Sequence, residues 1–147
     1  MSYGLARIGD TVQGNCNGDY QVYEQTGTTP IVENPDGSTS GGEPIYGWVT
    51  YNENGTASGT ISTGSSIILD KVTGNGFARI TDTVAITKTY AHSNHLDSLN
   101  IIGTINQGSV NVYVDNLSVA YIGCTVTASN CSGLVITTGS ADVVCNG

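Results

Sequence analysis

No window of this chain shows sustained apolar residues at the i, i+3, i+4 spacing of an amphipathic helix. They alternate with polar residues over short runs, and the runs end in Gly, Asn, Asp and Ser. Val110, Val112 and Val114, for example, alternate with Asn111, Tyr113 and Asp115, the period of a half-buried strand. The pattern predicts an all-β chain with almost no helix.

Two short patterns recur along that chain. Ala6-Arg7-Ile8-Gly9-Asp10-Thr11-Val12 returns as Ala78-Arg79-Ile80-Thr81-Asp82-Thr83-Val84 and as Ala120-Tyr121-Ile122-Gly123-Cys124-Thr125-Val126. Ile61-Ser62-Thr63-Gly64-Ser65 returns as Ile105-Asn106-Gln107-Gly108-Ser109 and as Ile136-Thr137-Thr138-Gly139-Ser140. Each Gly-Ser leads into a short apolar strand, then an Ala-x-Ile strand and a loop, so the unit reads strand, strand, loop. The last unit lacks its Ala-x-Ile strand, while the chain begins with one that has no Gly-Ser strand before it. Joining end to start gives three closed units, a pseudo-threefold body with both termini at the end opposite the three loops.

The beginning of the chain reads differently. Residues 1–12 read as a strand, and residues 13–18 as a polar loop holding Cys16. Residues 19–58 contain all the prolines, Trp48, and Tyr20, Tyr23, Tyr46 and Tyr51. Within them PDGSTSGGEP reads as a loop, and YGWVTYNENGT as a strand entering an Asn-Gly turn. Residues 1–147 thus read as a single domain with 19–58 an insertion in the first loop.

Composition narrows the function. Hydrophobic residues are 38% of the chain, with 20 glycines and one Phe, so the core is thin and a second source of stability is expected. A formal charge of −8, with only Arg7, Lys71, Arg79 and Lys88 positive, argues against nucleic acid and anionic lipid. MSYGLAR lacks the basic and apolar regions of a secretory signal, and no run is long enough to span a bilayer. The expectation is a protein made in a reducing cytoplasm.

Candidate chemistry lies in the three loops, after Val12, Val84 and Val126. They hold Cys16, then His92 and His95, then Cys131. Threefold closure brings the loops to one apex, where two thiolates and two imidazoles make a complete tetrahedral set for zinc, favoured over iron on ligand type. With no ligand position open, such a site is structural, and one ion per chain is expected. Asp97 is a candidate partner for a histidine N–H. Taken singly, solvated histidines and packed thiols are the plainer reading of these residues. Cys124 and Cys145 read as packed thiols; a disulfide between them fits the cysteine count but not a reducing compartment. Arg7 and Arg79 share one repeat position, which suits pairing with aspartates, with solvation the plainer alternative.

These motifs resemble the PAAR-repeat family, the conical spike-tip proteins of phage tails and type VI secretion systems. Leu5-Ala6-Arg7-Ile8-Gly9-Asp10, Phe77-Ala78-Arg79-Ile80-Thr81-Asp82 and the Gly-Ser strands at 108–112 and 139–143 carry the resemblance, which spans residues 1–18 and 59–147. Family members commonly use three histidines and one cysteine, and none of the copies here keeps a proline before its Ala. The resemblance implies a β-structured cone, a metal at the apex, and a base seated on the blunt end of a trimeric β-helical spike, one chain per trimer. Leu5, Val143 and Val144 are the expected base contacts. The implied function is to sharpen the spike for piercing a target envelope, with no bond-making chemistry, no small-molecule substrate and no nucleic acid. The implied setting is a virion's contractile tail, assembled in the host cytoplasm, or alternatively a bacterial type VI secretion apparatus. A reading from another class makes residues 19–58 a host-surface binding module acting through Tyr and Trp. An enzyme ranks behind both, since no Ser-His-Asp pattern or phosphate loop is present.

Overall fold

The computed structural model describes residues 2–90 and 99–147. The described residues contain no helix. Their strands are β1 (Tyr3–Gly4), β2 (Thr11–Thr28), β3 (Val32–Glu33), β4 (Thr39–Ser40), β5 (Pro44–Ile61), β6 (Thr83–Thr89), β7 (Asn100–Ile105), β8 (Tyr113–Val114), β9 (Leu117–Ser118), β10 (Val126–Thr127), β11 (Cys131–Ile136) and β12 (Val144–Cys145). The chain divides into two compact units, a body (described over 2–17, 54–90 and 99–147) and an arm (described over 18–53).

In the body, six strands hydrogen-bond in the order β10-β7-β6-β5-β2-β11. A bridge between Thr125 and Val135 links the two ends of that order, so the sheet is a nearly closed barrel. Alternation explains its inside. Val12, Ile61, Val84, Ile86, Ile105, Val126, Leu134 and Ile136 are all buried, while the intervening Gln13, Thr60, Ala85 and Thr87 face outward. A six-stranded barrel is narrow, so some inward positions have no room for a side chain. A Cβ on Gly59 would lie 2.2 Å from the Ala85 carbonyl oxygen, and one on Gly14 would lie 2.8 Å from Leu134.

The Ala-x-Ile copies meet below this barrel. The Ala6 N–H donates to the Ala120 carbonyl at 2.9 Å, Ala120 to Ala78 at 2.9 Å, and Ala78 to Ala6 at 2.8 Å. These backbone bonds close a ring of three residues, all fully buried. All three alanine side chains belong to the main core. Leu5, Phe77 and Val119 precede the three alanines and form a second apolar cluster with Val114 and Cys145.

Three local expectations are corrected. Residues 1–12 are not one strand, because each Ala-x-Ile copy is a bridge followed by a tight turn. Asp10, Asp82 and Cys124 return their N–H groups to the carbonyls of Arg7, Arg79 and Tyr121 at 3.0, 3.1 and 3.0 Å. Residues 13–18 are not a loop, since they continue β2 with Val12 and Cys16 buried on one face. Asn54-Gly55 does not turn. It runs through β5, where Gly55 makes room for the Thr89 carbonyl oxygen, which an added Cβ would meet at 2.4 Å.

The arm is a two-stranded ribbon made by the distal parts of β2 and β5, with the small β3–β4 hairpin between them in sequence. The hairpin turn over residues 34–38 is held by Asn34 N–H to Ser38 carbonyl at 2.7 Å and by the Asp36 carboxylate, which accepts the Ser38 N–H at 3.0 Å. Hydrogen bonds from the Ser38 hydroxyl and N–H hold the Asp36 carboxyl below the usual range.

Candidate functional site

The cysteines of the expected metal set lie opposite each other. Cys16 on β2 and Cys131, the first residue of β11, are direct register partners in an antiparallel pair. Side chains so placed have Cβ atoms about 4.5–5.5 Å apart, close enough for two thiolates to hold one ion. Cys16 is buried and its thiol donates to the Thr56 carbonyl at 3.3 Å, while Cys131 is partly buried against the main core. A polar hollow of about 320 Å³ borders Cys16, lined by Asn15, Asn17, Asn54, Gly55 and Ser132. His92 and His95, like Asp97, lie outside the described residues. The described residues alone contain no group of three or more His, Cys, Asp or Glu fit for a metal. Two adjacent thiols still fit a thiolate-preferring ion, and they form half of the set read from the sequence.

The other two cysteines are packed thiols, as expected. Cys124 is fully buried and accepts the Tyr121 N–H at 3.4 Å, taking the place of a carboxylate. Burial pushes the Cys124 thiol up, so it stays protonated. Cys145 is buried on β12 opposite Tyr3.

Sequence reasoning undervalued the arginines. Asp10 Oδ2 accepts both the Arg7 backbone N–H at 2.8 Å and its Nε at 2.9 Å, and Oδ1 accepts Nη2 at 3.1 Å. Arg79 repeats this on Asp82 at 2.8, 2.9 and 3.1 Å. The remaining guanidinium nitrogens reach Asp70 at 3.2 Å and Asp115 at 2.6 Å, so each arginine ties its own turn to the segment after a Gly-Ser. The hydrogen bonds that Arg7 donates to Asp10 lead in holding its guanidinium protonated, against burial. Burial works to raise the Asp70 carboxyl, but the Thr73 N–H and hydroxyl and Arg7 outweigh it and hold that group below the usual range. The signal was present in Arg-x-x-Asp occurring twice. Lys88 was also underread, since it is buried on the inward face of β6 between Ile86 and Tyr90.

The Gly-Ser motifs build the second feature. Ser65, Ser109 and Ser140 are buried, and each donates its N–H to the residue before an alanine of the ring: Phe77 at 2.9 Å, Val119 at 2.8 Å and Leu5 at 2.8 Å. Each serine hydroxyl then accepts the backbone N–H groups two and three residues on, at 2.8–3.1 Å. The chain is thereby turned so that the next residues face solvent. Ile67, Ile68 and Leu69 are exposed after the first serine, Val110 and Tyr113 after the second, and Val143 and Val144 after the third. Two of the expected base residues, Val143 and Val144, are thus among these exposed apolar residues. Leu5 is not: at 4% exposure it packs in the second cluster.

No protein-family model matches the chain, and neither a curated protein nor a solved structure shows significant similarity to it. The functional reading therefore rests on the residues and geometry above.

Proposed function

We propose that this chain is a spike-tip protein: a conical, pseudo-threefold body that caps the blunt end of a trimeric β-helical spike and sharpens it for envelope penetration. The observation that carries this reading is the closed ring of Ala6, Ala78 and Ala120, each preceded by a buried apolar residue and bonded through it to a Gly-Ser turn that displays apolar side chains. Equivalent contacts at three places in one chain favour a pseudo-threefold body. Such a body can offer each subunit of a trimer a similar surface. Isolated apolar residues on a surface are ordinary, but three sets following the same structural serine fit a seat.

Stiffness is the property a piercing tip needs. Backbone bonds from all three copies converge on the ring, and Arg7 and Arg79 tie their turns to the segments after two of the Gly-Ser motifs through charge-assisted contacts. In this reading Cys16 and Cys131 hold one zinc ion together with His92 and His95. The ion supplies a cross-link and no catalysis. A structural zinc contributes on the order of 10–16 kcal/mol in small peptides, as much as the whole stability of a typical domain.

Co-expression with the trimeric spike of the same particle, followed by light scattering and elemental analysis, tests both parts. One chain per trimer and one zinc per chain are expected. Ile68→Asp, Tyr113→Asp and Val144→Asp should each weaken assembly, whereas outward Thr87→Asp should not. Three copies per trimer, or no association, overturns the capping role. A zinc content unchanged by Cys16→Ser overturns the metal assignment alone.

A further inference from the structure

The arm carries a surface that the capping role does not use. Gln21, Tyr23 and Gln25 lie on one face of β2, and Tyr46, Trp48 and Thr50 lie on the same face of β5. Ring contacts fix that placement: Tyr23 stacks on Tyr46 at 6.1 Å between centroids and meets Trp48 at 5.3 Å with a 54° tilt. The Gln21 amide donates to the Thr50 hydroxyl at 3.3 Å on the same side. Exposure distinguishes this from a satellite core, since Tyr23, Tyr46 and Trp48 are 59%, 53% and 58% exposed. The opposite face is the more covered one and carries Glu24 hydrogen-bonded by Tyr51.

We propose that this face binds a neutral oligosaccharide. The C–H bonds on the flat side of a pyranose ring are polarised by neighbouring oxygens, and they complement the negative face of an aromatic ring. The hydroxyls around the sugar's rim need short-range donors and acceptors, which the Gln21, Gln25 and Thr50 side chains provide. Aromatic rings with small polar groups between them also lose little conformational entropy on binding. The six side chains named here include no charge and no aliphatic group, which disfavours a charged ligand and the aliphatic knobs of a protein partner. A chain of net charge −8 further disfavours an acidic glycan. Tyr46 and Trp48 are two residues apart on β5, about 7 Å along the strand, so the rings present a platform broad enough to meet the flat face of a sugar.

Trp48 is the only tryptophan in the chain, so its fluorescence reports on this face directly. The full-length protein should be titrated with cellotetraose and with N-acetylchitotetraose. At least one should give a saturable change in Trp48 emission at micromolar to millimolar sugar. Tyr23→Ala should weaken the fitted affinity about tenfold, the usual scale for removing a stacking ring. Tyr23→Phe, which keeps the ring, should stay within about threefold, and Tyr51→Phe on the other face should change nothing. Failure of both sugars to alter the emission overturns the proposal. So does a response that Tyr23→Ala leaves intact, or emission that varies with protein concentration and not with sugar, which would make a second copy the occupant. None of these outcomes bears on seating or zinc content, so this inference and the capping role stand or fall separately.

Discussion

Thr81 has a left-handed backbone, with φ 76°, at the position where the other two copies place Gly9 at 94° and Gly123 at 98°. A side chain with a branched β-carbon is poorly suited to that region, at a cost of about 1–2 kcal/mol. Glycine would relieve this but gains freedom in the unfolded chain worth about 0.5–1 kcal/mol. Thr81→Gly should therefore stabilise by about 0.5–1 kcal/mol, raising the thermal midpoint by about 2–4 °C by calorimetry. A lower midpoint would mean that the Thr81 side chain outweighs the strain. Asp70 gives a second prediction at this scale. Its carboxyl lies below the ordinary range when folded, so its stabilisation is fully present above the unfolded-state pKa and is lost as pH falls below about 4. Asp70→Asn should lower the urea midpoint at pH 7 and flatten the decline below pH 4. An unchanged acid limb would remove Asp70 from the pH response.

At the scale of elements, what matters is how closely two strands approach. The nearest atom to a Cβ on Gly59 is a backbone oxygen, which cannot rotate away as a side-chain tip can. Gly59→Ala should destabilise by about 2–3 kcal/mol, a loss of roughly 5–10 °C. Gly27→Ala is the control, since nothing lies within 4 Å of its added Cβ and the midpoint should barely move. This is also where sequence reading was weakest. Asn54-Gly55 has the composition of a turn, and residues 13–18 that of a loop, yet both lie inside 18-residue strands. Turn signals are local, whereas the pairing of β5 with β2 and β6 is long-range and leaves little trace in neighbouring residues. The all-β character was legible because alternation is itself local: Val84, Ile86 and the outward Ala85 and Thr87 record it directly.

For the whole molecule, the repeat was the most informative feature. Aligning Ala6, Ala78 and Ala120 anticipated residues that the fold brings into mutual contact. Cys16 and Cys131, read from the sequence as residues of separate loops, are partners in the register of two strands. The arginine pairs were less legible, because Arg7 and Arg79 reach Asp70 and Asp115 only once separate copies are folded together. The aromatic face was visible only as composition, since a list of tyrosines does not say which side of a ribbon they share.

β1 pairs with β12, Leu5 donates to Val143 and Ser140 donates back to Leu5, so the first strand of the body finds its partner in the last one. Folding of the body therefore cannot finish while its last segment is still inside the ribosome, and the early copies wait with unpaired edges. Such a topology predicts slow acquisition of structure even once the last strand is available, and a window in which the half-made body is vulnerable to sticking and to proteases.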